Sequence, residues 1–298
     1  MATPGTLGFI GLGNMGGPMC ANIAKAGRWP MIVFDAAGTA ERAPAGATVA
    51  GSVADVAARA DTILLSLPDG KIVAAVADEI AAAPDRRVTT IVDLSTVGVV
   101  AAKSIGASLD RQGLVFVDAP VSGGRAGAIA ATITVMCAGA TDTIAMLTPV
   151  FKTMAGNVIP VGAQPGQGQA MKLMNNFLSS VAMAATSEAV HFGISQGLEM
   201  KTMLDVLNVS TGRNTATSDK FPNRIATGTF DAGFAMPLMS KDVALYYENA
   251  DAAGTVTKLG TAVAEIWRDA VEALPDADFT RIYDFVGKQG LKGGAKRA

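Results

Sequence analysis

The feature that most constrains the fold is a glycine-rich turn near the start of the 298-residue chain. A short apolar run leads directly into this turn, which reads Gly11-Leu12-Gly13-Asn14-Met15-Gly16, and a helix-like stretch follows it. In such a strand–turn–helix unit, Gly11 permits a tight turn, Gly13 lets the backbone approach a pyrophosphate, and Gly16 lets helix and strand pack closely. The helix N-terminus supplies N–H donors and a favourable dipole for an anion.

Asp35 follows the second apolar run, Met31–Phe34, at about the 20-residue distance where an acid accepts adenosine ribose hydroxyls. No basic residue follows Asp35 until Arg42, so a ribose 2′-phosphate is expected to meet a carboxylate and no counter-charge. The sequence therefore predicts NAD as the cofactor, in preference to NADP. The plainer alternative is a structural turn with a surface aspartate, which the combination of turn, context and acid disfavours.

The first half of the chain alternates short apolar runs with Ala-rich segments of helical length. Further runs occur at Thr62–Ser66, Thr89–Val92, Leu114–Val117 and Thr132–Met136. Short buried strands alternating with helices indicate a mainly parallel sheet that is covered on both faces. Right-handed crossovers make this a doubly wound, Rossmann-type α/β domain.

The second half of the chain has a helical pattern throughout. Strand patterns stop after Val161, and one long helix is predicted from Gln169 to about Gln196. We expect a dinucleotide-binding domain over residues 1–163 and an all-α domain over residues 164–298, joined by this long helix. Asp276 stands where it would suit the N-cap of the last predicted helix, Phe279–Val286.

Composition excludes several classes of partner. A net charge of −2 gives no electrostatic case for nucleic acid or a membrane surface. The single histidine, His191, cannot build a His-rich metal site and is expected to be a satisfied histidine at the edge of the core. Cys20 and Cys137 fit a reducing compartment better than a disulfide scaffold. We expect a soluble cytoplasmic protein without metal, membrane or nucleic-acid partners.

Three further strands are followed by loops at the edge of the sheet where doubly wound folds bind ligands. Leu67-Pro68 and Ser95-Thr96 suit either a cofactor crevice or ordinary strand-to-helix turns, and the residues alone leave both readings open. Ser122-Gly123-Gly124 offers consecutive N–H groups and a hydroxyl, which would suit a small carboxylate. A flexible turn is the alternative there.

Lys172 and Asn176 are one helical turn apart on the long helix and share a face, whereas Asn175 is expected to point elsewhere. Gly168, at the helix start, allows another surface to approach closely. A lysine near a helix N-terminus opposes the dipole, and partial burial would lower its pKa further. Such a lysine can exchange a proton near neutral pH. For an arbitrary lysine, a snorkelling surface position is the commoner outcome.

Four motifs, in this order, resemble those of the β-hydroxyacid dehydrogenase family, of which 3-hydroxyisobutyrate dehydrogenase is the best-known member. The motifs are Gly11–Met19, Asp118–Gly124, Gly168–Asn176 and Lys241-Asp242. One departure is Ala131, which stands where the family usually has glycine.

The resemblance implies a role for each motif. The implied cofactor residues are the six of the glycine turn together with Asp35, Leu67, Pro68, Thr96 and Lys241, the last reaching NAD from the helical domain. The implied substrate residues are Ser122, Gly123, Gly124 and Asn176, and the implied catalytic residue is Lys172. The helical domain would also form homodimers or homotetramers.

The expected reaction is reversible hydride transfer between a small 3-hydroxy acid, above all 3-hydroxyisobutyrate, and nicotinamide, with Lys172 as acid and base. An alternative is reduction of another small aldehyde acid, such as tartronate semialdehyde, succinic semialdehyde or a sulfonated analogue. Ser210–Asn214 would add a second anion site, or it would simply connect two helices. A non-catalytic dinucleotide-binding module is a third possibility, disfavoured by the presence of Lys172 and Asn176.

Overall fold

The computed structural model describes the backbone of residues 3–294. The chain divides into two compact units after Lys172. This division falls inside the long helix, later than residue 163, where the sequence alone places the domain boundary. The first turns of that helix belong with the sheet because they bond to the ends of its strands.

The first unit is built on a nine-stranded sheet whose central strands are fully buried. In chain order the strands are β1 Leu7–Ile10, β2 Met31–Phe34, β3 Thr48–Val49, β4 Thr62–Leu65, β5 Thr90–Asp93, β6 Val115–Asp118, β7 Val121–Ser122, β8 Ile133–Ala138 and β9 Ala155–Gly162. Their spatial order is β3-β2-β1-β4-β5-β6-β8-β7, with β9 paired to β8. Strands β1 to β6 pair in parallel, which is the arrangement of a doubly wound dinucleotide-binding sheet. The predicted fold class is confirmed.

Helices cover both faces of this sheet. They are α1 Gly16–Ala26, α2 Val53–Arg59, α3 Gly70–Ala82, α4 Val99–Asp110, α5 Gly124–Ala130 and α6 Thr141–Met154. Alternate strand residues enter opposite cores: Leu64 packs in one cluster, whereas Ile63 and Leu65 pack in the other. Two buried faces explain why the central strands are mostly apolar and show no regular alternation with polar residues.

The second unit is helical throughout its described part. The helices are α7 Gln167–Ser195, whose first turns belong to the first unit, α8 Met200–Asn208, α9 Met236–Ala252, α10 Lys258–Ala273 and α11 Ile282–Gly294. A π-helical segment, Ala216–Ile225, and a 3₁₀ turn, Phe279–Arg281, complete it. Its apolar core surrounds the fully buried Trp267 and Phe221. No helix in the described part of the chain is long and apolar enough to cross a membrane.

Several local expectations are corrected. The Asp276 N-cap is wrong: Asp278 caps the turn that begins at Phe279, accepting the Thr280 N–H, because a capping residue must directly precede the turn. Strand β7, which contains Ser122, and helix α5 were not predicted from the sequence. A two-residue strand such as β7 depends on its partner β8 and has little sequence signal of its own. Ala131 ends α5 in the left-handed conformation at φ 56°, which explains why glycine suits that position better.

His191 is a satisfied histidine at the edge of the helical core, as predicted. Its Nε2 lies 3.0 Å from the carbonyl oxygen of Tyr283, and the two rings stack with centroids 4.3 Å apart.

Candidate functional site

The glycine turn of β1–α1 has one glycine that faces open space. A Cβ added at Gly11 would overlap the Ser66 carbonyl oxygen, and one added at Gly16 would overlap the Gly11 carbonyl oxygen. A Cβ added at Gly13 meets nothing within 4 Å. Gly11 and Gly16 are therefore required by packing, whereas Gly13 leaves room for a ligand beside the N-terminus of α1. These residues fit the pyrophosphate of a dinucleotide.

Asp35 is buried at the end of β2 and holds the glycine turn from the side. Its Oδ2 accepts the Leu12 N–H at 2.6 Å, and its Oδ1 accepts the Ala37 N–H at 2.8 Å. Arg42 lies beside the same carboxylate, with Nη1 3.4 Å from Oδ1. The expectation of no counter-charge near Asp35 is therefore wrong, because the chain folds back and brings Arg42 to it.

The loops after β4 and β5 are tied to each other. The Ser95 hydroxyl accepts the Leu67 N–H at 2.9 Å, and the Asp93 carboxylate accepts the Ser95 N–H at 3.0 Å. Pro68 is exposed next to Leu67, and Thr96 is half-buried. Both loops thus lie together at the carboxyl edge of the sheet, where the sequence predicts the cofactor crevice.

Gln169 anchors helix α7 to the loop after β5. Its Oε1 accepts the N–H groups of Val97 at 3.0 Å and Gly98 at 3.3 Å, and its Nε2 donates to the Ser95 carbonyl at 3.0 Å. The side chain is fully buried and uses both ends of its amide. It fixes the start of α7 against a loop that carries Thr96.

Asp118 anchors the same helix to the end of β6. Its carboxylate accepts the Gly166 N–H at 3.1 Å and the Gln169 N–H at 2.9 Å. Burial raises the pKa of this carboxyl to about 6, although the N–H donors act in the opposite direction. A Cβ at Gly168 would lie 2.7 Å from the Met136 carbonyl oxygen, so only glycine lets the helix approach this closely. The close approach expected at Gly168 is confirmed.

Lys172 lies in the second turn of α7 and is only 7% exposed. A snorkelling surface position is therefore wrong for this lysine. Lysine is seldom buried without a structural or functional partner. Because Asp118 and Gln169 hold the preceding turn, the backbone that carries Lys172 is fixed relative to the sheet edge.

Asn176 and Lys241 belong to the second unit, where both contact Asp242. The Asn176 Nδ2 donates to Asp242 Oδ2 at 2.6 Å, and the Lys241 Nζ lies 3.4 Å from Asp242 Oδ1. Asn175 does not point elsewhere: its Nδ2 donates to Asn176 Oδ1 at 3.0 Å. The amide of Asn176 is consequently oriented from two sides.

Ser122 is half-buried in β7, opposite Thr134 of β8. Gly123 has φ +132°, and a Cβ there would lie 3.2 Å from the backbone of Ile133, so a side chain is disfavoured on both counts. Gly124 begins α5. The segment therefore pairs with β8 at Ser122 and enters α5 at Gly124.

The second anion site considered for Ser210–Asn214 gains no support. The Asn214 side chain accepts the N–H groups of Ala216 and Thr217 at the start of the π-helical segment, and Arg213 is exposed. This segment connects helices. Within the described residues there is also no group of three His, Cys, Asp or Glu side chains that would hold a metal ion.

Sequence reasoning assigned no role to Asp118, Gln169 or Asp242, and it misplaced Arg42. The sequence could have indicated two carboxylates, because Asp93 and Asp118 each stand at the end of an apolar run, where a parallel strand reaches the edge of the sheet. Gln169 and Asp242 stand in motifs that resemble the family, but their contacts depend on residues far away along the chain.

Comparison with known proteins gives the family. The model described as the NAD binding domain of 6-phosphogluconate dehydrogenase matches residues 6–162, and that of NADP-dependent 3-hydroxyisobutyrate dehydrogenase matches residues 166–286. A probable 3-hydroxyisobutyrate dehydrogenase of Mycobacterium bovis is 35% identical over 285 residues, which cover 93% of this chain and 96% of the relative. The chain belongs to the β-hydroxyacid dehydrogenase family.

Other members of the β-hydroxyacid dehydrogenase family agree with this assignment. The mitochondrial 3-hydroxyisobutyrate dehydrogenase of Homo sapiens is 34% identical over 97% of this chain and 89% of its own length. A structure of Mycobacterium tuberculosis 3-hydroxyisobutyrate dehydrogenase with L-serine has a TM-score of 0.88 at 34% identity, and the match covers 96% of this chain and 99% of that one. This chain is an NAD(P)-dependent hydroxyacid dehydrogenase.

Proposed function

We propose that this dehydrogenase reversibly oxidises a small 3-hydroxy acid, with 3-hydroxyisobutyrate and its product methylmalonate semialdehyde as the leading pair. Lys172 is the acid and base of the reaction, and NAD is preferred to NADP. The names of the relatives support the substrate class, and Asp35 at the end of β2 supports the cofactor preference. The observation that carries the proposal is the burial of Lys172 beside a helix start fixed by Asp118 and Gln169.

The chain's own residues then divide the chemistry. The dinucleotide, when bound, supplies the hydride acceptor at its nicotinamide ring. Lys172 takes the proton from the substrate hydroxyl, directly or through water, as the carbon is oxidised. In the reverse direction, protonated Lys172 stabilises the developing alkoxide and returns the proton. No metal is required, because the ammonium provides the positive charge.

Substrate orientation is assigned to the remaining residues of the proposed site. Ser122, Gly123 and Gly124 bind the substrate carboxylate through a hydroxyl and backbone N–H groups. Asn176 hydrogen-bonds the substrate, and its amide is oriented by Asp242. Leu67, Pro68, Thr96 and Lys241 keep their proposed contacts with the cofactor.

The Lys172→Ala variant tests this function directly. We expect kcat to fall by about 10³-fold or more, while the dissociation constant for NAD changes by less than about threefold. Lys172→Arg should be nearly as inactive, because a guanidinium does not release its proton at neutral pH. The matched control is Lys152→Ala, which removes an exposed lysine of α6 and should leave turnover unchanged. Turnover of Lys172→Ala within tenfold of the wild type would remove Lys172 from its role.

A substrate panel identifies the acid. The panel compares 3-hydroxyisobutyrate, L-serine, glycerate and 3-hydroxypropionate with reduction of tartronate and succinic semialdehydes. L-Serine is included because the similar Mycobacterium tuberculosis structure is one with L-serine. Substrates are compared within one reaction direction, with methylmalonate semialdehyde added to the reductions. A kcat/KM for tartronate or succinic semialdehyde that exceeds that for methylmalonate semialdehyde would replace the leading pair by the alternative substrate.

We also propose that the protein assembles as a homodimer or homotetramer in the cytoplasm. Large apolar side chains of α7 are exposed at helical spacing: Met174 by 45%, Leu178 by 60% and Phe192 by 68%. The two cysteines are free and buried, which suits a reducing compartment. Light scattering of the purified protein measures the subunit number, and a monomeric mass would contradict the assembly.

A further inference from the structure

A cavity of about 330 Å³ lies over the glycine turn, and its charge was not evident from the sequence. One side is formed by the turn itself and the first turn of α1, including Gly13 and Asn14. The other side is formed by two arginines that are remote along the chain, Arg42 and Arg125. The cavity therefore combines a helix N-terminus with two guanidinium groups, one of which, that of Arg42, contacts the buried carboxylate of Asp35.

Arg42 is brought to the cavity by the fold of the segment after β2. The Thr39 hydroxyl accepts the Asp35 N–H at 2.9 Å and donates to the Asp35 carbonyl, so the chain turns back directly after the strand. The Arg42 N–H then bonds to the Thr39 carbonyl at 3.1 Å. As a result the guanidinium reaches Asp35 Oδ1, the carboxylate oxygen that does not hold the glycine turn.

The Arg42–Asp35 pair is weak enough to be exchanged for another partner. Its one contact is 3.4 Å long, and the Arg42 side chain is 41% exposed. Ion pairs that are this open to water contribute little to stability. A phosphate, with its higher charge and three acceptor oxygens, is a stronger partner for a guanidinium than this shared carboxylate.

We infer that Arg42 relaxes the cofactor specificity of this dehydrogenase by donating to a ribose 2′-phosphate beside Asp35, so that NADP also binds although NAD is preferred. This inference rests on the proposed placement of the adenosine ribose at Asp35. When the ribose carries only hydroxyls, Asp35 accepts from them and Arg42 stays paired. When a 2′-phosphate is present, Arg42 leaves Asp35 and donates to the phosphate, offsetting the repulsion that the carboxylate alone would impose.

Arg125 has a different position and a different consequence. Arg125 is exposed in the first turn of α5 and lines the cavity. Unlike Arg42, it is not among the residues that contact the Asp35 carboxylate. Its charge therefore acts on the phosphates that both dinucleotides share. Arg125 should strengthen binding of NAD and NADP equally.

Binding of two adenine nucleotides, measured by calorimetry without turnover, tests the inference. The probes are 5′-AMP and 2′,5′-ADP, which carry the same 5′-phosphate and differ only in the 2′-phosphate. In the wild type we expect the two dissociation constants to agree within about tenfold. Arg42→Ala should weaken binding of 2′,5′-ADP by about 10–100-fold, which is the usual range for loss of one charged hydrogen bond, and binding of 5′-AMP by less than about threefold.

Two further variants serve as comparisons. Arg125→Ala should weaken both probes by the same factor. Arg28→Ala removes one exposed arginine just beyond the end of α1, far from the turn, and should weaken neither. NAD⁺ and NADP⁺ should repeat the pattern of the two probes.

The outcomes separate the inference from the proposed function. If Arg42→Ala changes both probes equally, or neither, the role of Arg42 is overturned while the glycine turn remains a nucleotide site. If the wild type binds 5′-AMP more than about tenfold more tightly than 2′,5′-ADP, Arg42 does not offset Asp35 and the inference fails. If the wild type binds neither probe nor NAD⁺, the proposed cofactor site itself is wrong.

Discussion

The N-termini of α1 and α7 make an instructive pair within the sheet unit. Both helices start next to glycines at the carboxyl edge of the sheet. The N-terminus of α1 has no side-chain cap and no acidic residue in its first turn, and Gly13 faces open space. The N-terminus of α7 is occupied by the Asp118 carboxylate, and Gly168 is packed against strand ends.

The difference shows how one physical property serves two purposes. A helix N-terminus attracts a negative charge wherever it occurs. At α1 the protein supplies no such charge, and we propose that the helix end binds the dinucleotide there. At α7 the protein supplies the charge itself, so the helix end becomes an attachment point that positions Lys172.

The largest effect is expected from Gly168→Ala, which should destabilise the fold by about 3 kcal/mol. The new methyl group would lie 2.7 Å from the Met136 carbonyl oxygen and 2.8 Å from that of Asp118, so backbone atoms must shift. Urea unfolding monitored by circular dichroism measures the change. An unaltered midpoint would show that α7 is not attached in the way the comparison requires.

Gly13→Ala is the matched variant, and it should impair NAD binding while leaving the stability of the fold nearly unchanged. Its methyl group meets no protein atom within 4 Å, so the free energy of unfolding should change by less than about 1 kcal/mol. The dissociation constant for NAD should rise by about 10–100-fold, because the methyl group occupies the space that a pyrophosphate needs. Calorimetric titration with NAD measures this, and tight binding by the variant would contradict a ligand site at α1.

The smallest effect concerns the pH dependence of stability that Asp118 produces. Its pKa of about 6 exceeds that of the unfolded chain, so the folded protein holds the proton more tightly and its stability falls as pH rises toward 6. Relative to Asp118→Asn, the wild type should lose on the order of 1–2 kcal/mol between pH 4.5 and 7. Urea titrations of both proteins across this range measure the difference. A difference that is constant with pH would mean that Asp118 does not titrate there.

The sheet unit was more predictable from sequence than the site. Strands such as β1 and β4 are apolar throughout and end at glycine, proline or polar residues, so local patterns place them well. The two-residue strands β3 and β7 were missed because they exist only through pairing with neighbours. The contacts of Arg42 and Gln169 were missed for the same reason, because they depend on how segments that are distant along the chain meet.

The motifs were easier to predict from the sequence than the individual side-chain contacts were. Spacing alone placed Lys172 and Asn176 on one helix, and resemblance to a family proposed their roles. Burial of Lys172 could not be read from the sequence, because an isolated lysine in a helix is usually exposed. The partner Asp242 stands in a motif, but nothing in the motif says which amide it holds.

The bond between Asp35 and the Leu12 N–H has a consequence for how cofactor choice can change during evolution. Asp35, which we propose to discriminate between ribose forms, also supports the glycine turn, which we propose to receive the phosphates. Replacing it to admit a new dinucleotide would loosen that loop in the same step. In a lineage that changes its cofactor preference, we therefore expect a basic residue near Asp35 to change first. Asp35 itself should be kept until another group supports the glycine turn.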